Sequence, residues 1–450
     1  MGGVGLVLAG GTVGAGPSGG LVDNSSKPAW LTDLSVGVRE GLDDNVLMVA
    51  DKTPGMRPQS SWISTVSPGV GFNAAPWLGW EQHVATLSLA YAPEFDIYHE
   101  APAETFNAQR VTNAITGGAG HFTFGLTNAF VFVDGSSQAP TYQLPAGATE
   151  DYNVYAISAA RERRKQIQDR SAVVLQYDLD PCFLRPTASL LYYDMMTDWR
   201  NGGSGTGPAT PGYLNYVGRA DVNGGLDAGY RLTPGFAVTL GYRHGHQYQQ
   251  ALPHAINTLM VNGQQEQSSS DYDRILLGVE GNPCKRLAVR AVAGPDFRDY
   301  NAAAPVAHDQ VLKFYADGSL SFALTAKQSI AINGKHWEWV SSVGRLPCAE
   351  NSYGLGYHWN ATRQLGFDLG VRYGNQDYNS GSVPLSSGKC LRNDAMETLS
   401  AGVGYAYNAH VSASLTYAYN MGRNLEDNVA TGAYRKFDQQ LVSLGLKFKF

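Results

Sequence analysis

The last nine residues constrain this chain more than any other feature. Val442, Leu444, Leu446, Phe448 and Phe450 alternate with Ser443, Gly445, Lys447 and Lys449. Successive side chains of a β-strand point to opposite faces, so a period of two makes one face apolar and the other polar or small. The same alternation recurs upstream. Val411, Ala413, Leu415, Tyr417 and Tyr419 alternate with Ser412, Ser414, Thr416 and Asn420. Leu365, Phe367, Leu369, Val371 and Tyr373 alternate with Gln364, Gly366, Asp368, Gly370 and Arg372. Phe236, Val238, Leu240 and Tyr242 alternate with Ala237, Thr239, Gly241 and Arg243.

A soluble β-sandwich also alternates, so further features have to decide. Tyr and Trp gather toward the ends of the runs, at Tyr91, Tyr192, Tyr230, Tyr242, Tyr357, Trp359, Tyr373, Tyr405, Tyr407 and Tyr419. An aromatic ring with a polar tip suits a lipid–water boundary, and membrane barrels carry such girdles at both boundaries. Connections alternate between tight ones, such as 180–182, 233–235, 282–284, 360–363 and 408–410, and long polar spans, such as 135–153, 197–216, 249–270, 378–393 and 423–435. Composition points the same way. Charged residues are 16% of the chain, against about 25% in ordinary globular proteins. Gly supplies 52 of the 450 residues, and Tyr at 25 outnumbers Phe at 16. No run of about 20 apolar residues occurs, which excludes a bundle of membrane helices. The net charge of −6 gives no support to a nucleic-acid partner.

These observations predict an all-β fold: a single transmembrane antiparallel up-and-down β-barrel of about 18 strands, with 16 as the alternative. Short periplasmic turns would face long extracellular loops. The strands are expected at 30–39, 61–72, 82–96, 105–119, 121–134, 154–179, 183–195, 216–231, 235–248, 270–281, 285–298, 311–325, 328–340, 351–360, 364–377, 394–407, 410–422 and 437–450. An even count puts both termini on the periplasmic side. Residues 2–22 are uncharged and hold nine glycines around Leu6-Val7-Leu8-Ala9. Residues 1–29 therefore read either as a remnant of an export signal or as a flexible tail, with the barrel spanning 30–450.

Two segments carry a family likeness. Leu446-Lys447-Phe448-Lys449-Phe450 resembles the carboxy-terminal signature of bacterial outer-membrane proteins. That resemblance implies that Phe448 and Phe450 serve as a signal to the barrel-assembly machinery. Ser35-Val36-Gly37-Val38-Arg39-Glu40-Gly41-Leu42-Asp43-Asp44-Asn45-Val46 is similar to the opening strand of the β-barrel porin type 2 group. Members of that group often have a Gly-aromatic-Asp-Asp-Asn motif, and Leu42 stands here at the aromatic place. The resemblance implies a pore in the bacterial outer membrane, in contact with outer-membrane lipid.

If the apolar faces meet lipid, the opposite faces enclose an interior. Arg185, Arg219, Arg231, Arg243, Arg274, Arg286, Arg290 and Arg372 then point inward, with Asp178, Asp221, Asp227, Glu280 and Asp368. A charge facing lipid at midplane costs roughly 2–4 kcal/mol, which favours interior placement. Such residues can select solutes through a transverse field, or hold the barrel in shape as cross-strand ion pairs. Residues 135–165 are the expected filler of the lumen. The cluster Arg161, Arg163, Arg164 and Lys165 at its end would sit either at that constriction or on an outer rim touching anionic headgroups.

Cys348 and Cys390 fall in neighbouring extracellular loops and are a candidate disulfide. Cys182 and Cys284 lie in separate periplasmic turns. His244-Gly245-His246 is the only close His pair, and both rings would share a strand face, but a third metal ligand is not in reach. Asp43-Asp44-Asn45 could offer oxygen ligands to calcium without forming a cage. No nucleophile elbow, Cys-x-x-Cys or His-Glu-x-x-His occurs, so neither catalysis, nor a metal, nor a cofactor is expected. The leading function is a pore for small hydrophilic solutes. The alternatives are an export barrel for an exopolysaccharide and a sheath around a periplasmic cytochrome or other partner. Monomer and homo-oligomer are both compatible with the sequence.

Overall fold

The computed structural model of the chain describes residues 28–48, 57–135, 165–196, 218–250, 260–261, 264–265, 268–301, 311–340, 347–377, 393–425 and 436–450. Eighteen strands form one closed wall. They are β1 (Leu31–Asp43), β2 (Ser61–Asn73), β3 (in two pieces, Val84–Tyr91 and Glu94–Tyr98), β4 (Phe106–Ala119), β5 (Phe122–Asp134) and β6 (Gln166–Leu179). There follow β7 (Cys182–Asp194), β8 (Arg219–Thr233), β9 (Phe236–Gln249), β10 (Ser270–Cys284), β11 (Leu287–Tyr300) and β12 (Val311–Thr325). The last six are β13 (Gln328–Val340), β14 (Pro347–Asn360), β15 (Leu365–Asp377), β16 (Asn393–Ala406), β17 (Val411–Asn424) and β18 (Phe437–Lys449). Each strand pairs antiparallel with its neighbours in sequence, and β1 closes on β18 from Ser35↔Lys449 to Asp43↔Leu441.

Side-chain exposure decides between barrel and sandwich. Leu240 is 58% exposed and Leu444 59%, whereas Thr239 and Arg274, on the opposite face, are 6% and 4% exposed. The apolar face is the outside, which is the inverse of a soluble core and the arrangement of an outer-membrane-type barrel. Apart from the loop end of β12, where the ladder to β13 stops at Ala316↔His336, the strands of this wall have a neighbour on both sides, so the sheet closes without a free edge strand.

The breaks in regularity have local causes. Pro93 has no amide hydrogen to donate, and β3 is interrupted at residues 92–93. In the connection before β3, Pro76 stands in the first turn of a four-residue helix, Ala75–Leu78, which Gly79 ends with a φ of 67°. Trp77 and Trp80 project from this connection into solvent or interface, 75% and 51% exposed. The other turns at this end are short, and the start of β1 and the carboxy-terminal Phe450 lie on the same side as them.

The closing seam uses the Asp-Asp-Asn triplet. Asp43 is buried and accepts both a bond from the Asn45 amide (2.9 Å) and two from Gln439 Nε2 (3.0 and 2.9 Å). Asn45 Nδ2 donates to the Asp438 carbonyl (2.8 Å), and the Gln440 amide donates to Asp44 (2.6 Å). The oxygens that might have met calcium are engaged in joining the first strand to the last.

Besides the break in β3 and shifts of up to three residues elsewhere, strand limits depart from expectation most at β1, β14 and β6. β1 runs on to Asp43 because Arg39 turns into the lumen, beside Thr65 (3.2 Å) and Asp96 (3.6 Å), instead of ending the strand. β14 starts at Pro347 because its ladder with β13 continues to Val340↔Pro347. β6 is described from Gln166, so the expected residues 154–164 lie outside the described residues, as do residues 1–27 of the tail.

Leu240→Arg places a charge on the lipid face and is expected to lower stability in bilayers by about 2–4 kcal/mol. Thr416→Arg, on the lumen face, costs no more than about 1.5 kcal/mol, the worth of the hydrogen bond it loses. Urea titrations followed by Trp fluorescence check both.

Candidate functional site in the barrel lumen

Two charged networks line the inner face of β6 to β13. The one nearer the turn end centres on Arg185 of β7. Its guanidinium forks onto Glu280 of β10 (2.7 and 2.8 Å), and its Nε donates to Asp227 of β8 (3.2 Å). Asp227 also takes Arg243 of β9 (2.7 Å), and Arg231 is bonded to Asp178. Arg185 and Arg231 lie over the ring of Phe183 at 5.1 and 5.2 Å. Phe183 lies flat because Gly229 is opposite: a Cβ there would stand 2.0 Å from the ring. Arg185 thus reaches past two strands to Glu280, tying four staves together.

The second network, nearer the loop end, holds something inside the barrel. The ladder between β12 and β13 ends at Ala316↔His336, while β13 stays paired with β14 to Val340↔Pro347. A single-layer wall exposes alternate residues, yet Trp337, Glu338, Trp339 and Val340 are 6%, 3%, 1% and 1% exposed. Both faces of this tip are covered, so it has left the wall and leans into the lumen. The contacts agree. Arg219 of β8 donates to the Val340 carbonyl (2.9 Å) and lies over the Trp339 ring at 4.8 Å. Gln247 of β9 and Arg298 of β11 both donate to the Glu338 carbonyl (3.1 and 2.9 Å). The Glu338 carboxylate accepts from Tyr300 (3.1 Å) and sits 3.6 Å from Lys313 Nζ.

Behind the tip, buried groups hold the donors in place. Asp296 accepts from Arg274 Nε (2.9 Å) and Arg298 Nη2 (3.0 Å). Asp221 accepts from Gln247 (2.9 Å), Asn223 (2.9 Å) and the Tyr272 hydroxyl (3.0 Å). Arg274 lies over Tyr272 and Tyr315 at 3.9 and 4.3 Å. Tyr272 in turn lies against Gly245, where a Cβ would meet its ring at 2.4 Å.

The opposite arc, β15 to β2, is different. Thr398, Ser400, Gly402 and Gly404 of β16, Ser412, Ser414 and Thr416 of β17, and Ser443 and Gly445 of β18 share the inward face. Their hydroxyls bond to one another, as Thr416 does to Ser443 (2.7 Å). At these positions the wall carries short side chains without charge.

The structure brings Arg185, Arg231, Arg243, Asp178, Asp227 and Glu280 together in the first network, and Arg219, Arg274 and Asp221 in the second. Arg290 shares the face of Asp296 and Arg298 and stands opposite Glu280. Arg372 lies on the face of Asp368, which accepts from His358 (2.7 Å). Arg286 stands in the turn at 285–286 rather than on a strand. Of the basic cluster, Lys165 is described and lies 3.9 Å from Asp134, while Arg161, Arg163 and Arg164 lie outside the described residues. So does Cys390; its proposed partner Cys348 is buried within the hairpin tip, opposite Trp339. Span 136–164, expected to fill the lumen, is likewise outside; the element seen entering is the tip of β13 and β14. Phe448 faces outward, 38% exposed, and the Phe450 amide donates to Leu34 (2.9 Å).

His244 and His246 point outward, bonded to Asp273 (3.0 Å) and Asp271 (2.7 Å). No group of three or more His, Cys, Asp or Glu among the described residues could hold a metal. Sequence reasoning missed Gln247, Arg298, Lys313, Glu338 and Trp339. Trp337-Glu338-Trp339 keeps the alternation of a wall strand, so nothing local signals that it leaves the wall.

Arg185→Ala leaves Glu280 and Asp227 without their fork and is expected to cost about 1.5–3 kcal/mol. Arg372→Ala, whose side chain is exposed, is expected to change stability little. The two are compared by heat-modifiable mobility and urea titration.

No family model matches the chain, and no curated protein matches it. Among solved structures, the chain is similar to the outer membrane channel DcaP of Acinetobacter baumannii, at 11% identity over 93% of this chain and 96% of that one, with a TM-score of 0.43. It is similar to OccK1 (OpdK) of Pseudomonas aeruginosa, at 13% identity over 93% and 98%, with a TM-score of 0.41. It is also similar to the ferric-catecholate import receptor Fiu from E. coli K12, at 10% identity over 93% and 82%, with a TM-score of 0.39.

Proposed function

We propose that this barrel is a pore of the bacterial outer membrane that passes small hydrophilic solutes, with a preference for anions. The observation that carries the preference is an imbalance among charges left free on the inner face. Asp178, Asp227, Glu280, Asp296 and Glu338 each have a cationic partner, and Asp368 is bonded to His358. On the same inward face Arg290, Arg372, Lys447 and Lys449 are exposed and make no ion pair among the described residues. Asp33, Asp317 and Glu350 are at least partly exposed carboxylates there with no cation in contact among the described residues, and Asp221, which also has none, is buried among the neutral donors Gln247, Asn223 and Tyr272. Charges that face an enclosed polar path set its ion preference, because low-dielectric walls focus their field.

Passage is best supported along the arc from β15 to β2, where Ser, Thr and Gly leave room, with the β13–β14 tip narrowing the other side. Neutral solutes meet hydroxyls there, and anions meet Arg372 and Lys447.

Planar-bilayer recordings of the purified protein in a potassium chloride gradient test the reading. The expected reversal potential lies toward that of chloride. Arg290→Gln with Arg372→Gln is expected to move it toward zero while leaving the conductance near wild type. Folded protein that never conducts refutes the pore; a reversal potential on the potassium side refutes the anion preference.

A further inference from the structure

The second network is built around a piece of the protein's own chain. We propose that Glu338 and the carbonyls of Glu338 and Val340 act as a resident ligand in a cationic cradle, formed by Arg219, Gln247, Arg298 and Lys313, that binds the oxyanion of a passing solute when the tip withdraws. The inference rests on the pore reading and adds to it a binding site and a means of regulation.

Three observations carry it. The first is the chemistry of the cradle. Arg298 is 1% exposed, and its Nη2 is shared between Asp296 (3.0 Å) and the Glu338 carbonyl (2.9 Å). Arg219 has no carboxylate partner among the described residues; its one hydrogen-bond acceptor is the Val340 carbonyl. The Nε atoms of Arg219 and Arg298 and Nη2 of Arg274 are buried without an acceptor among the described residues, against one buried oxygen of the network without a donor, Asp296 Oδ1. Donors in excess of acceptors, fixed by buried neighbours, are what an oxyanion site requires.

The second is charge. With the tip seated, Arg219, Arg274, Arg298 and Lys313 face Asp221, Asp296 and Glu338. These four cations outnumber the three carboxylates already, and withdrawing Glu338 widens the excess by one charge. A mobile anion replaces the charge that Glu338 supplies, so the tip and the solute compete for one place. By linkage, an anion that binds the vacated cradle shifts the tip outward in proportion to that preference.

The third is a second seat for the tip. On the side facing β13, Val311–Tyr315 of β12 have no ladder partner among the described residues, although β12 remains paired with β11 up to Arg298↔Val311. Trp337–Val340 could extend the existing ladder over this edge, trading two side-chain bonds at the Glu338 carbonyl for ladder bonds. In the seated position side chains satisfy the Glu338 and Val340 carbonyls, and in the other the ladder would satisfy them and the β12 edge as well, which gives the tip two discrete arrangements.

The test combines binding with conduction. Glu338→Gln keeps the shape and removes the charge. Calorimetry of the detergent-solubilised full chain is expected to give Glu338→Gln a several-fold tighter Kd for inorganic phosphate than wild type, and acetate should follow the same order if the cradle reads oxyanions generally. Glu338→Gln with Arg298→Gln should lose that gain. In bilayers, phosphate should lengthen the open intervals of wild type several-fold, and Glu338→Gln should open without it. Tyr300→Phe, which removes one hydroxyl from Glu338, should shift in the same direction to a smaller extent. Wild type that conducts, with phosphate binding and open intervals unchanged in Glu338→Gln, overturns the resident-ligand proposal and leaves the pore intact. Silence in every folded variant overturns the pore reading, whereas the calorimetric order would still stand or fall by itself.

Discussion

Every peptide group that enters hydrocarbon must find its hydrogen-bond partner within the protein, and this requirement governs the rest of the molecule. A sheet meets it by having no edge. Here the requirement falls hardest on the joint between β1 and β18, the two strands farthest apart in sequence. The joint has more than a ladder: Asp43, Asp44 and Asn45 bond to Gln439, Gln440 and the Asp438 carbonyl at its loop end. The order imposed there makes the interior an enclosed volume, and the charged networks become a matter of filling and lining it.

The interior is uneven. Between β6 and β13, glycines at 229 and 245 let Phe183 and Tyr272 lie flat, and arginines stack over them to reach acids on more distant strands. Such bonds stiffen the wall, because breaking one leaves a partly desolvated charge behind. From β15 to β2 the wall relies on its ladder and on short hydroxyl contacts. One half is braced across its width; the other is held mainly by its backbone.

Much of this is legible in the sequence because a wall one residue thick keeps a strict period of two. Leu240, Leu369 and Leu444 announce the outside, and Arg185, Asp227 and Glu280 the inside, for the same reason. Limits are harder to read where a charge stands at the expected end of a strand but turns inward, as Arg39 does. Arg286 has the spacing of a wall residue and stands instead in a turn. The hairpin tip could not be read at all. Trp337, Glu338 and Trp339 alternate like their neighbours, and the groups that draw them inward, Gln247 and Arg298, are 91 and 40 residues away. Long-range polar bonds leave no mark on local periodicity.

The smooth arc has a practical meaning. Ser400, Ser414, Thr416 and Ser443 take no part in the braces that span β6 to β13. Larger or differently shaped side chains can be installed there without disturbing those braces, so bore width is separable from mechanical rigidity. The molecule is in this sense a frame with an adjustable lining, and its calibre can drift, in evolution or in the laboratory, while its scaffold stays fixed.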